Sequence, residues 1–159
     1  MCCTEKSMAK KEIKIFLDSN VILSGFIFDK AAPRLILDLL CHDLTFLVGA
    51  TGQYNLEEIE RTIRRKLPAV VPVFRESMSR MKIQIVPMPV RGELDRYRGA
   101  IDDADLPVLV SAIQSNADYL VTGDRKHFSG LRGRNDIPVK ICTPAEFIDV
   151  VAACIKEMG

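Results

Sequence analysis

The sequence has no apolar run approaching the roughly 18 residues a membrane-spanning helix needs, so a helical membrane protein is excluded as a reading and no membrane partner is expected. It has only two histidines and five cysteines, and no two cysteines are spaced C-x-x-C, so a zinc site is not expected. It also lacks an excess of one charge. Lys and Arg number 22 against 21 Asp and Glu, a net charge of +1, so a nucleic-acid role must rest on local clusters rather than on bulk charge. The first dozen residues, MCCTEKSMAKKE, lack the apolar segment of a secretory signal. They read as a disordered tail over residues 1–12, and Cys2 and Cys3 within it match no lipidation motif. Cys41, Cys142 and Cys154 lie in apolar contexts and read as small core residues of a protein in a reducing cytoplasm. There is no internal repeat and no linker rich enough to divide the chain, so residues 13–159 are expected to form one domain.

What is present is a chain of 159 residues, 48% hydrophobic and 27% charged, the balance of a soluble globular protein with a substantial core. Ile13 to Leu17 (IKIFL) is almost uninterruptedly apolar, the mark of a strand buried on both faces, and it ends at Asp18. A helix is expected after Asn20 and a second from Ala32-Pro33, with Leu35, Ile36, Leu39 and Leu40 on one stripe. Leu44 to Val48 reads as the next strand, and Thr51 to Lys66 as a long helix with Leu56, Ile59 and Ile63 on its apolar face. A short helix is expected within Leu67 to Met81, a strand at Lys82 to Val86, and a polar connector, extended or helical, at Glu93 to Gly99. Leu106 to Ile113 then reads as a buried helix with Pro107 in its first turn, and Tyr119 to Val121 as a buried strand leading to Thr122-Gly123-Asp124. A basic loop from Arg125 to Arg134, a short strand at Val139 to Ile141 and an amphipathic helix from Pro144 to Met158 complete the chain. This alternation predicts an α/β fold, three layers α/β/α around a mostly parallel sheet.

In open parallel sheets, ligands bind beyond the carboxyl ends of the strands. Asp18 and Asp124 both end strands and so share that edge. Asp105 begins the helix that runs back to the strand before Asp124, and Glu58 or a neighbouring glutamate lies on the helix after the second strand. Each acid has a structural role it could fill alone. Asp105 could be a helix N-cap, Asp102 and Asp103 helix-start charges, the glutamates a solvated face, and Asp124 a turn residue. Asp18 is the hardest to explain that way, because an acid ending a fully apolar strand is costly unless bound or hydrogen-bonded. His42 and His127 read as surface or turn residues. Gathered carboxylates repel and raise one another's pKa, and a hard divalent cation such as Mg²⁺ or Mn²⁺ relieves this. Such an ion can activate water and neutralise charge on a phosphate, which outlines a phosphodiesterase.

Four segments in order carry a further signal. Phe16-Leu17-Asp18-Ser19-Asn20-Val21, Leu56-Glu57-Glu58-Ile59, Asp105-Leu106-Pro107-Val108-Leu109 and Leu120-Val121-Thr122-Gly123-Asp124 together resemble the PIN domain family of metal-dependent ribonucleases, over about Ile13 to Ile155. The resemblance implies a site of three or four acids binding Mg²⁺ or Mn²⁺, with single-stranded RNA as the usual substrate. By residue it implies Asp18, Glu58, Asp105 and Asp124 as the metal-binding and catalytic acids, and Asn20 and Thr122 as small polar residues that orient them. It leaves the part of Asp103, an extra acid, unassigned. Many bacterial and archaeal members are toxins silenced by an antitoxin, and many form homodimers, so both partners are expectations carried by the resemblance alone. The basic loop after Asp124 supplies Arg125, Lys126, Arg132 and Arg134 as candidate phosphate contacts.

Rival chemistries fit less well. A haloacid-dehalogenase-type phosphatase needs a second Asp two residues after the first, where this chain has Asn20. A receiver-type signalling domain needs paired acids ending the first strand and a phosphoacceptor Asp on a middle strand, and neither is present. The remaining alternative is a non-catalytic module on the same fold that binds RNA or a protein partner.

Overall fold

Residues 12–159 are described by a computed structural model; residues 1–11 lie outside the description, and with them Cys2, Cys3 and nearly all of the expected tail. The apolar run forms β1 (Ile13–Leu17), and Ile15, Phe16 and Leu17 have no exposed surface. Four further strands flank it among the described residues: β2 (Leu47–Gly52), β3 (Gln84–Val86), β4 (Tyr119–Val121) and β5 (Lys140–Cys142). All pairings are parallel, in the order β3-β2-β1-β4-β5. With β1 central, its side chains alternate between two hydrophobic faces. Ile13, Ile15 and Leu17 join one core with Ile36, Leu40 and Phe147, while Phe16 joins the other with Leu109, Ala112 and Leu120.

Among the described residues, eight α-helices join and cover these strands: α1 (Ser19–Ile27), α2 (Ala32–Cys41), α3 (Gln53–Lys66), α4 (Val71–Arg80), α5 (Arg91–Tyr97), α6 (Leu106–Gln114), α7 (Arg125–Phe128) and α8 (Pro144–Met158). Helices α1, α2, α3 and α8 supply the first core and α6 the second, which gives the three-layer arrangement expected from the alternating pattern. A Thr143 capping box starts α8: its hydroxyl accepts from the Glu146 N–H, and the Glu146 carboxylate accepts from the Thr143 N–H.

Several boundaries differ from the sequence reading. The second strand is Leu47–Gly52 rather than Leu44–Val48, because the positions paired with Ile15 and Phe16 are the small Gly49 and Ala50. A Cβ at Gly49 would lie 2.9 Å from Leu40 Cδ2, so a side chain there would have to displace the leucine methyls of α2. The large apolar Leu44 and Phe46 precede the strand, which shares only Leu47 and Val48 with the expected segment. The connector at Glu93–Gly99, for which the sequence also allows a helix, is largely helix α5, and the basic loop contains α7 followed by a 3₁₀ turn at Ser129–Leu131. Phe128 and Leu131, both buried, anchor that segment to the second core.

The packing of α1 on α2 is tight. A Cβ at Gly25 would sit 2.6 Å from Leu37 Cδ1 and 2.9 Å from the Pro33 carbonyl oxygen, and a backbone atom cannot step aside as a side-chain tip can. Gly25→Ala is therefore expected to cost about 1–3 kcal/mol through overpacking, read as a lower urea midpoint at unchanged slope. Unchanged stability would show that the two helices separate freely.

Candidate active site

The order of the strands reverses direction at β1, so the chain leaves β1 and β4 on opposite sides of a shared gap, the position where open α/β sheets bind ligands. Asp18 sits at its base. It ends β1, caps α1, and is 6% exposed. Its carboxylate accepts four hydrogen bonds. The Ser19 N–H donates to Oδ1 at 2.7 Å and Asn55 Nδ2 to the same oxygen at 3.3 Å. The Thr122 hydroxyl donates to Oδ2 at 2.7 Å and Asn20 Nδ2 at 3.3 Å. Burial nevertheless pushes its pKa up to about 6, with the Glu58 and Asp105 charges adding to the rise and the Thr122 and Ser19 bonds opposing it.

The other predicted acids meet Asp18 in one cleft of about 270 Å³, lined also by Glu58, Asp105 and Asp124. Of the three glutamates on α3, Glu57 accepts from Gln53, and Glu60 pairs with Arg64 and Arg75, which leaves Glu58 facing the cleft. Asp105 stands at the N-cap position of α6 but its side chain makes no capping bond, so the simple structural role does not occupy it. Burial, together with the Asp124, Asp102 and Glu58 charges, raises its pKa against the pull of His127. Asp124 caps α7, accepting from the His127 N–H at 3.0 Å and meeting His127 Nδ1 at 2.6 Å. Partial burial pushes the Asp124 carboxyl up, but hydrogen bonds and charge from His127 outweigh it and the net shift is down.

Thr122 and Asn20 couple these acids through the backbone. The Thr122 hydroxyl that donates to Asp18 also accepts from the Asp124 N–H at 3.0 Å. Asn20 reaches Asp18 with its amide while its carbonyl accepts from the Gly123 N–H at 2.9 Å. Asp103 is placed differently: its carboxylate pairs with Arg98 at 3.4 Å and does not line the cleft. Among the basic candidates, Arg125 and Lys126 are exposed on α7, whereas Arg132 is held by Glu146 at 2.7 Å and Arg134 is bidentate to Asp136.

Three side chains outside the cleft lining touch or neighbour its acids and receive no site role in the sequence reading. Asn55, with no exposed surface, donates to both Asp18 and the Ser19 hydroxyl, the latter at 2.9 Å. Its position three residues before Glu58, one helical turn back on the same face, is the signal that could have found it. Asn55→Ala removes both bonds; we expect a loss of about 1–3 kcal/mol in urea denaturation and about 10- to 100-fold weaker Mn²⁺ binding by titration. Unaltered Mn²⁺ affinity would mean that the other three donors suffice to hold Asp18. The second is His127, read as a surface residue: it is exposed, yet its ring meets three acids, Asp124 at 2.6 Å, Asp105 at 3.7 Å and Asp102 at 4.0 Å. The bond to Asp124 and the surrounding carboxylates raise its pKa. The third is Asp102, whose oxygen lies within 4.8 Å of ligand atoms of Asp105 and His127. The helical i, i+3 spacing of Asp124 and His127 signals the second of these; nothing in the sequence separates Asp102 from Asp103.

Whether a divalent cation fits can be judged from the donors. Among the described residues no lysine or arginine lines the cleft, four carboxylates do, and the most buried of them is pushed toward neutrality. Convergent hard oxygen donors with unbalanced negative charge are the set that Mg²⁺ or Mn²⁺ prefers. The residues fit.

Comparison with known proteins agrees with this architecture. A family model described as PIN domain matches residues 14–126, well over half of the chain. A crystal structure of VapBC2 from Rickettsia felis bound to a DNA fragment from their promoter contains a chain with the same fold, at TM-score 0.55 and 18% identity, covering 82% of this chain and 98% of that one. No curated protein gives a significant sequence match. Since the family match runs from β1 through β4 into α7, and so takes in every strand end and helix that contributes an acid to the cleft, this chain belongs to the PIN domain family.

Proposed function

We propose that the protein is a metal-dependent endoribonuclease that hydrolyses phosphodiester bonds of single-stranded RNA. The observation that carries this reading is the convergence of Asp18, Glu58, Asp105 and Asp124 in one cleft with no lysine or arginine among the described residues that line it. These four would hold Mg²⁺ or Mn²⁺. When bound, such an ion lowers the pKa of water and neutralises charge developing on the phosphate. The chain's own residues do the rest. Asp18 anchors the site from a fixed position, because four donors hold its carboxylate. Thr122 and Asn20 orient it and link it to the loop carrying Asp124. No side-chain nucleophile is required, since water attacks phosphorus and the ribose oxygen leaves.

Arg125 and Lys126 are the residues best placed to hold the RNA backbone, as exposed cations directly after Asp124. Removing both is expected to flatten the salt dependence of RNA binding, by about 0.7 in log–log slope for each phosphate left without its cation. Arg132→Ala and Arg134→Ala are expected to change the slope less, because Glu146 and Asp136 already occupy those guanidiniums. Equal effects from all four would place the phosphates along the whole segment.

The family resemblance and the VapBC2 fold together support a toxin of a toxin–antitoxin pair, with an antitoxin and a second copy of the chain as its partners. Among the described residues no helix is long and apolar enough to cross a membrane, and we place the protein in the cytoplasm. The decisive experiment is cleavage of a labelled single-stranded RNA with Mn²⁺, with and without EDTA. Metal-dependent cleavage supports the enzyme; RNA binding without cleavage across a range of RNAs and ions would favour a non-catalytic module.

A further inference from the structure

We propose that His127, together with Asp102, ligates the ion held on this acidic edge, so that the centre selects a first-row transition ion such as Mn²⁺ over Mg²⁺. The inference rests on the metal-dependent reading above and deepens it. His127 lies one residue beyond the segment matched by the family model, and neither it nor Asp102 is among the four acids that the resemblance assigns.

The geometry separates the two ring nitrogens. Nδ1 meets Asp124 Oδ2 at 2.6 Å, which fixes the ring plane. Nε2 then remains as the donor, and it faces Asp102 Oδ2 at 4.0 Å. A histidine that gives one nitrogen to a carboxylate and the other to a metal is the usual arrangement of a metal-bound imidazole. One ligand atom each from Asp102, Asp105 and His127 lie within 4.8 Å of one another. Ligands sharing an ion at about 2.0–2.2 Å can be at most about 4.4 Å apart. Nδ1 is the nitrogen nearer Asp105, at 3.7 Å, so sharing an ion at Nε2 requires the Asp102 and Asp105 carboxylates to turn toward it. The Asp102 side chain, 76% exposed, can swing toward the ring while Asp124 holds the imidazole in place.

Neighbouring residues support the choice of Asp102 over Asp103. Arg98 neutralises Asp103 and draws it away, whereas among the described residues the only ion-pair partner of Asp102 is the imidazole. The chemistry of the donors sets the selectivity. Mg²⁺ takes oxygen ligands and keeps its waters, whereas imidazole nitrogen suits first-row transition ions. A site of carboxylates alone would discriminate weakly; a nitrogen donor tilts the balance.

The test uses the full, tag-free chain and Mn²⁺ as the probe. Free Mn²⁺ measured by electron paramagnetic resonance gives the affinity, and electron spin-echo modulation reports any nitrogen bound to the ion. The expected result is ¹⁴N modulation in the wild type that disappears in His127→Gln, with the ratio of Mn²⁺ to Mg²⁺ affinity falling about 10- to 100-fold. Asp102→Asn is expected to lower Mn²⁺ affinity while keeping the nitrogen signal. Should His127→Gln fail to fold by circular dichroism, the wild-type signal and Asp102→Asn still decide the matter. Mn²⁺ that binds, is lost in Asp18→Asn, yet shows no ¹⁴N coupling would overturn the role of His127 while leaving the acidic metal site intact. Absence of any Mn²⁺ binding would overturn both.

Discussion

Asp18→Asn is expected to reduce Mn²⁺-dependent RNA cleavage by at least about 10²- to 10³-fold, the scale set by removing one preorganised electrostatic group from an active site. The substitution keeps size and shape and removes only the charge, so the loss would belong to chemistry rather than to packing. The variant is also expected to fold. In the ion-free protein a carboxylate whose pKa rises from 3.8 to about 6 is itself a burden at neutral pH, on the order of 2–3 kcal/mol at about 1.4 kcal/mol per pKa unit. Asparagine removes that burden, although its NH₂ must face two of the four donors, either Asn55 with the Ser19 N–H or Asn20 with the Thr122 hydroxyl, which offsets part of the gain. Stability without ions should therefore match or exceed the wild type.

The two proteins should separate once Mn²⁺ is added. Ion at 100 times its dissociation constant stabilises the folded state by about 2.7 kcal/mol, a rise in Tm of about 5–10 °C for a domain of this size. Asp18→Asn should show little of that rise. Retained cleavage would remove Asp18 from the reaction; a retained rise in Tm with cleavage abolished would show that the ion sits on the remaining acids and that Asp18 acts elsewhere in the chemistry.

The second large effect is in pH dependence. Asp18 binds its proton more tightly folded than unfolded, so the ion-free protein is expected to lose stability as pH rises from about 4 to about 6, by roughly 2–3 kcal/mol. Asp105, also raised, acts with the same sign. His127 adds to the trend at higher pH: its stabilising partnership is complete below 6.5 and fades as pH rises through its raised folded value. Asp124, Asp136 and Glu146 act in the opposite sense, being held below their usual range, Glu146 at about 2 through its bond to Arg132. Their contribution is present above their unfolded values and is lost as pH falls toward the folded ones.

The ion-free protein should therefore be most stable near about pH 4–5, which is unusual for a protein rich in ion pairs. Asp18→Asn should lose most of the decline between about pH 4 and 6 and keep the contributions of Asp105 and, later, His127. Added Mn²⁺ should shift the optimum upward, since ligation needs the carboxylates ionised and competes with protons. Urea denaturation from about pH 3 to 8, with Mn²⁺ or with EDTA, tests all three statements. An optimum near neutrality without ions would show that Asp18 is not held as a buried, proton-binding group.

Much of this protein is legible in order along the chain, and the reason is local. A strand buried on both faces must be apolar throughout, which makes Ile13 to Leu17 and Tyr119 to Val121 visible, and an acid at the end of each then stands out against its surroundings. Helix starts such as Pro107 and the Thr143-x-x-Glu146 box are written in adjacent residues. Parallel topology follows from alternation, and topology alone brings strand ends to one edge. For these reasons Asp18, Asp105 and Asp124 can be placed at one edge from the order of residues, whereas the choice of Glu58 among its neighbouring glutamates rests on the family resemblance.

What only the tertiary structure decided is what depends on packing between distant segments. The true second strand contains Gly49, which faces Leu40 of α2, and Ala50, which faces the opposite core beside Phe16, and no local pattern announces a strand defined by what must fit over it. Asn55 looks like any polar residue on a polar helix until α3 docks against β1 and its amide meets Asp18 across 37 residues of sequence. His127 reads as surface because its neighbours are basic, yet the cap at Asp124 turns the chain so that the ring falls among carboxylates from another loop. Asp102 and Asp103 are indistinguishable in sequence, and Arg98 separates them in space. Periodicity and capping are short-range and so are written in the sequence; the choice of partner for each charge is set by the approach of remote elements, and that choice appears only when the chain is folded.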